Sequence, residues 1–161
     1  MSSIAEALVG TWSVAAFTVT VADAAPLNAF GADPQGYVSY GADGWMSVQV
    51  AASGREPFDV PDVGGGTADQ TVADSRRFVA YAGPYRVDEV AGTVTHRLRV
   101  ASVPNWVGDE HVRRVHRRPD GTVLLEAEPV ETPQGPLVIG FRLVPIGVAD
   151  GPAGGTLAAT W

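Results

Sequence analysis

Residues 36–51 read GYVSYGADGWMSVQVA, and this stretch decides the fold class. Two alternating runs flank Gly41-Ala42-Asp43-Gly44, whose Asp-Gly pair is a hairpin-turn signal. A period of two gives each run one face to bury. Val38, Tyr40, Met46, Val48 and Val50 share one side, while Ser47 and Gln49 share the other. The apolar side must meet a core, so this unit reads as an antiparallel pair of half-buried strands.

The same pattern extends in both directions. Thr11 to Val21 is rich in Val, Thr and aromatics and predicts a strand. Ser3 and Glu6 stand at capping-box spacing, predicting a short N-terminal helix that stops by Gly10. Further strands are predicted over Gly83–Asp88, Thr93–Ser102, Glu110–Arg117, Thr122–Glu128 and Pro136–Pro145. Turns fall at Val90-Ala91-Gly92 and Pro119-Asp120-Gly121. Residues 52–66 carry Pro and a Gly triplet and read as a loop. Thr67 then caps a helix predicted to run to about Tyr81. GTLAATW at the end is a last candidate strand.

The result is all-β: an antiparallel barrel of eight to nine strands, with a short N-terminal helix and one inserted helix. Simple succession through tight turns favours this closed meander over a parallel α/β sheet. Residues 1–161 make one such domain. An eight-stranded barrel is just wide enough for one small ligand.

Composition narrows the function. The net charge is −7, which disfavours nucleic acid and anionic membrane as partners. No apolar run approaches the ~18 residues of a membrane span. The chain has no cysteine, hence no disulfide framework or thiol chemistry, and no lysine, hence no Schiff base. Its first ten residues lack the basic and long apolar regions of a secretion signal, so a cytoplasmic location is expected.

Gly10-Thr11-Trp12 resembles the GxW signature of lipocalins. DPQGYVSYGADGWMSVQV (33–50), FVAYAGPYRVDEVAGTVTHRLRV (78–100), PNWVGDEHVR (104–113) and FRLV (141–144) resemble, in order, the lipocalin-like domain proteins of bacteria and fungi. The resemblance implies a calycin-type barrel around an apolar cavity. Trp12 would seal its closed end, with Arg142 stacked on the indole ring. It also implies that the arginine at 113 points inward. Lipocalin-like barrels serve as carriers of small hydrophobic molecules and, in natural-product biosynthesis, as cyclases, isomerases or decarboxylases.

Strand phase proposes the site. Over 93–102, Val94, His96, Leu98 and Val100 form the apolar face, which carries His96 into the barrel, and Arg97 and Arg99 outward. A pocket imidazole titrating near neutrality can act as general acid or base; the plainer alternative is a buried histidine satisfied by a hydroxyl or carboxylate. Arg113 is either a buried ion pair, with Glu126 or Glu128, or a clamp that polarises a ligand carbonyl. Tyr85 reaches His96 if their strands pair. His96, Arg113 and Tyr85 are therefore the catalytic candidates. Tyr40, Met46, Val48, Leu98, Trp106 and Tyr81 are the ligand-binding ones. Trp106, in the Pro104–Gly108 break, either covers the cavity mouth or anchors its own loop. The loop and helix over 52–80 are long enough for a lid.

The three histidines lack metal-ligand spacing, so no metal and no other cofactor is expected. The first functional expectation is a cofactor-free cyclase or isomerase acting on a small hydrophobic substrate of polyketide or terpenoid type. The alternative is a non-catalytic carrier of such a molecule. A third is a side-chain-filled barrel that works through its surface. A monomer or a homodimer suits all three.

Overall fold

The hairpin forms as its alternation demands. In the computed structural model, which describes residues 2–146, β3 (Gln35–Tyr40) pairs with β4 (Trp45–Ala51), and Val38 faces Val48. Val38, Tyr40, Met46, Val48 and Val50 are all buried. Around this pair the chain adds α1 (Ile4–Leu8), β1 (Gly10–Val21) and β2 (Leu27–Asn28) before it. After it come α2 (Ala68–Ser75), β5 (Phe78–Asp88), β6 (Thr93–Arg97), β7 (Val100–Ala101), β8 (Glu110–Arg117), β9 (Val123–Ala127), β10 (Val130–Thr132) and β11 (Gly135–Pro145).

Eight of these strands close a barrel. The antiparallel circuit runs β1-β3-β4-β5-β6-β8-β9-β11 and returns to β1, with β2, β7 and β10 as short additions. Closure leaves the eight wall strands without a free edge. No helix among the described residues is long and apolar enough to cross a membrane. The candidate strand GTLAATW lies outside the described residues.

One barrel end is plugged. The Ser3–Glu6 capping box forms, and Glu89, in the turn between β5 and β6, accepts the backbone N–H groups of Ile4 and Ala5 at 2.9 Å each. This ties α1 over the end. Leu8 is wholly buried there, and its carbonyl accepts the Trp12 indole N–H at 2.8 Å. Arg142 does not stack on that ring. It sits between buried Phe141 and Leu143, so alternation turns it outward, where it is exposed.

Two predicted boundaries move for the same reason, tertiary pairing. Thr67 and Gln70 form a capping box, but α2 ends at Ser75 and not near Tyr81. Phe78 to Tyr81 are instead taken up by pairing with β4, from Ala51↔Phe78 to Val48↔Tyr81. The strand predicted over 93–102 breaks at Leu98. Tyr85 faces His96, yet four residues back Tyr81 faces Ala101, so one extra residue is inserted as a β-bulge. Gly83 permits it, since a Cβ there would collide with the Arg97 carbonyl. The bulge flips the phase: Leu98 stays buried, while Val100 turns outward and is 61% exposed.

Candidate functional site

Two polar assemblies occupy the barrel interior, one deep and one at the open end. The deep one centres on His96 of β6, which is 1% exposed. Tyr40 Oη of β3 lies 2.7 Å from its Nε2, and Tyr81 Oη of β5 lies 3.3 Å from its Nδ1. A neutral imidazole has one donor and one acceptor nitrogen, so one phenol donates to the ring and the other accepts from it. Burial, aided by the Arg113 cation, pushes the His96 pKa down to about 3. The ring is therefore neutral at physiological pH. Burial also raises both phenols, Tyr40 well above its ordinary value and Tyr81 against the opposing pull of Arg113.

The second assembly lies at the end opposite α1. Here β8 and the one-turn 3-10 helix Pro104–Trp106 meet the ends of β9, β10 and β11 around a cavity of about 360 Å3. Its aromatic side is Trp106 against His111, with ring centroids 5.3 Å apart and nearly perpendicular, and Tyr81 edge-on to both. Its aliphatic side is Val130, Leu137 and Ile139. Arg113 forms part of the lining although only 7% exposed, with its guanidinium carbon 5.9 Å from the Phe141 ring centroid.

Arg113 has no carboxylate within ion-pair distance among the described residues, and its Nε has no hydrogen-bond partner. The expected partners are placed elsewhere. Glu126 stands 2.7 Å from His116 on the outer face, and Glu128 is an exposed rim residue of the cavity. His111 Nδ1 is likewise buried and unpartnered. Its pKa is lowered, chiefly by burial and then by Arg113, so it too favours the neutral ring. The side chains of Arg113 and His111 thus both line one largely apolar cavity, with Glu110 and Glu128 also in its lining, an arrangement that orients a small molecule carrying a polar oxygen. Among the described residues, no three His, Cys, Asp or Glu side chains gather as metal ligands.

A sequence profile described as a lipocalin-like domain matches residues 9–136. The chain belongs to the lipocalin-like domain family. Among similar proteins, the 4'-hydroxy-3'-methoxypropiophenone carrier protein ppsC of Aspergillus oryzae is 32% identical over 91 residues, covering 53% of this chain and 82% of the relative. Among solved structures, the uncharacterized protein YLR301w from Saccharomyces cerevisiae superposes with a TM-score of 0.52 at 15% identity. That match covers 84% of this chain and 54% of the other, so the chain spans about half the length of that structure, and the likeness is one of fold alone.

Within this lipocalin-like barrel the residues singled out in the sequence separate into groups. His96 and Arg113 both point inward but belong to different assemblies. Tyr85 does face His96 across the β5–β6 ladder, yet its hydroxyl donates to the Gly41 carbonyl at 2.9 Å, so the expected Tyr85–His96 contact is replaced by Tyr40 and Tyr81. Tyr40, Met46, Val48 and Leu98 are buried and do not line the mouth cavity; they fill the interior behind it. Trp106 lines the cavity, and Tyr81 packs against Trp106 and His111 beside it. His111, Leu137 and Ile139 were missed. His111 shares the parity of Arg113 on β8, so turning Arg113 inward carries His111 with it.

Proposed function

We propose that this lipocalin-like protein binds and carries a small hydrophobic molecule, aromatic and bearing at least one polar oxygen, in the mouth cavity. The observation that carries this reading is the pairing of Trp106 and the aliphatic side with Arg113, which lines the same cavity and has no carboxylate partner among the described residues. An aromatic body would stack on Trp106 while an oxygen accepts from Arg113. At about 360 Å3 the cavity falls within the range of small-molecule sites. The Aspergillus oryzae relative is named as a carrier of an aryl ketone, and that ligand class meets these demands. The cysteine-free composition suits a reducing compartment, and we place the protein in the cytoplasm.

A cyclase or isomerase needs a group that takes and returns a proton near neutrality. His96 is neutral down to about pH 3 and is held between two phenols, which weighs toward carriage. The test is calorimetric titration with 4'-hydroxy-3'-methoxypropiophenone, followed by chromatographic recovery of the compound. One-to-one binding with quantitative recovery is expected. Consumption of the compound would restore the enzyme reading, and absence of heat of binding would defeat carriage of this class.

A further inference from the structure

We infer that the cavity is built for an organic anion: the ligand's oxygen is an oxyanion (carboxylate, phenolate or enolate) that supplies the counter-charge missing at Arg113. This rests on the proposed carrier function and specifies the charge of its ligand.

The chain carries 18 acidic against 11 basic side chains, so carboxylates are plentiful. Yet the buried Arg113 guanidinium has no carboxylate within ion-pair distance among the described residues. A desolvated charge is costly unless paired, so buried cations in proteins normally have an acidic partner. Glu110 and Glu128 belong to the cavity lining and Asp109 acts on His111, but none of the three pairs with Arg113. Glu110 is held 3.5 Å from exposed Arg86, Glu126 stands against His116, and Glu128 is exposed at the rim with no ion pair among the described residues.

The other groups facing Arg113 do not neutralise it. His96 and His111 are neutral rings, and the Tyr81 phenol is raised by burial and so remains protonated. Phe141 offers only its ring. The guanidinium is therefore an unpaired positive centre in a cavity whose mainly aromatic and aliphatic lining also carries Glu110 and Glu128. An oxyanion placed there gains a charge-assisted bond from the guanidinium in low dielectric, whereas a neutral carbonyl gains a weaker one and leaves the charge unpaired.

The probes are 3-phenylpropanoate and 3-phenylpropanamide, which share an aromatic body and differ in charge. Calorimetry on the intact chain at neutral pH should show the acid binding about tenfold or more tighter than the amide. Arg113→Gln should abolish the preference, while Glu128→Gln should preserve or enlarge it. Equal affinities, or a preference for the amide, would overturn the inference and leave the carrier reading standing. Loss of the preference in Glu128→Gln would overturn it as well. Binding of neither probe would defeat both. If Arg113→Gln fails to fold, the wild-type comparison of acid with amide still decides.

Discussion

Tyr40 Oη and His96 Nε2 stand 2.7 Å apart, linking β3 to β6 across the barrel interior. Both side chains are buried, so each replaces water for the other. Removing the Tyr40 hydroxyl strands a buried ring nitrogen. Tyr40→Phe should therefore cost about 1–3 kcal/mol in urea unfolding, whereas Tyr37→Phe, on the exposed face of the same strand, should stay within about 0.5 kcal/mol. Equal costs would show that the buried pair contributes nothing.

The same histidine makes the fold acid-sensitive. In the unfolded chain the imidazole protonates near 6.5, whereas in the barrel it does so only near 3. Between those values the unfolded state holds one more proton, so stability rises with pH and falls on acidification. The loss from pH 6.5 downward should approach roughly 1 kcal/mol per pH unit, and lowered His111 acts in the same direction. Denaturant midpoints between pH 7 and 4 should slope less steeply in His96→Gln. An unchanged slope would place the acid sensitivity elsewhere.

Arg113 should serve binding at the expense of stability. Its charge is buried with no carboxylate partner among the described residues, so Arg113→Met removes a desolvated cation and keeps an apolar stem. The variant should be neutral or up to about 2 kcal/mol more stable, since lost contact with Phe141 offsets part of the gain. It should bind the aryl ketone more weakly. A thermal melt lowered by many degrees would mean that Arg113 is structural.

Glu89 should anchor the plugged end. Its carboxylate accepts two backbone N–H groups of α1, and nothing else in the capping box reaches across to the β5–β6 turn. Glu89→Ala should cost about 1 kcal/mol and speed amide hydrogen exchange through α1 while sparing β11. Uniform acceleration of both elements would argue for global destabilisation instead.

Legibility in the sequence followed the range of the interactions. The 36–51 hairpin, the two capping boxes and the Gly turns are set within a few residues, and each stands where its local pattern puts it. The end of α2 and the bulge at Leu98 depend on which strand Phe78 and Val100 meet, which no local period records. Arg142 is a different case. The run Phe141-Arg142-Leu143 already puts the arginine outside, and the resemblance to other GxW barrels obscured it.

The site divides in the same way. His96 was readable from parity, and its strand neighbour Tyr85 from turn spacing. Tyr40 contacts His96 only because the sheet closes, so that partner lay beyond reach of the pattern. On β8 the two faces each carried cations, and the inward turn of Arg113 came from the family resemblance. Its companion His111 shares that face by period two, a signal the sequence reading did not use.

The central claim is that the ligand sits at the Arg113–Trp106 mouth and not deep among Tyr40, Met46 and Val48. Nitrogen-15 NMR of the Arg113 Nε–H and tryptophan Nε1–H signals, during titration with 4'-hydroxy-3'-methoxypropiophenone, tests it most directly. The account predicts saturable shifts of Arg113 and Trp106, with Trp12 at the plugged end unmoved. Saturation that moves Trp12 and leaves Arg113 and Trp106 in place would contradict it.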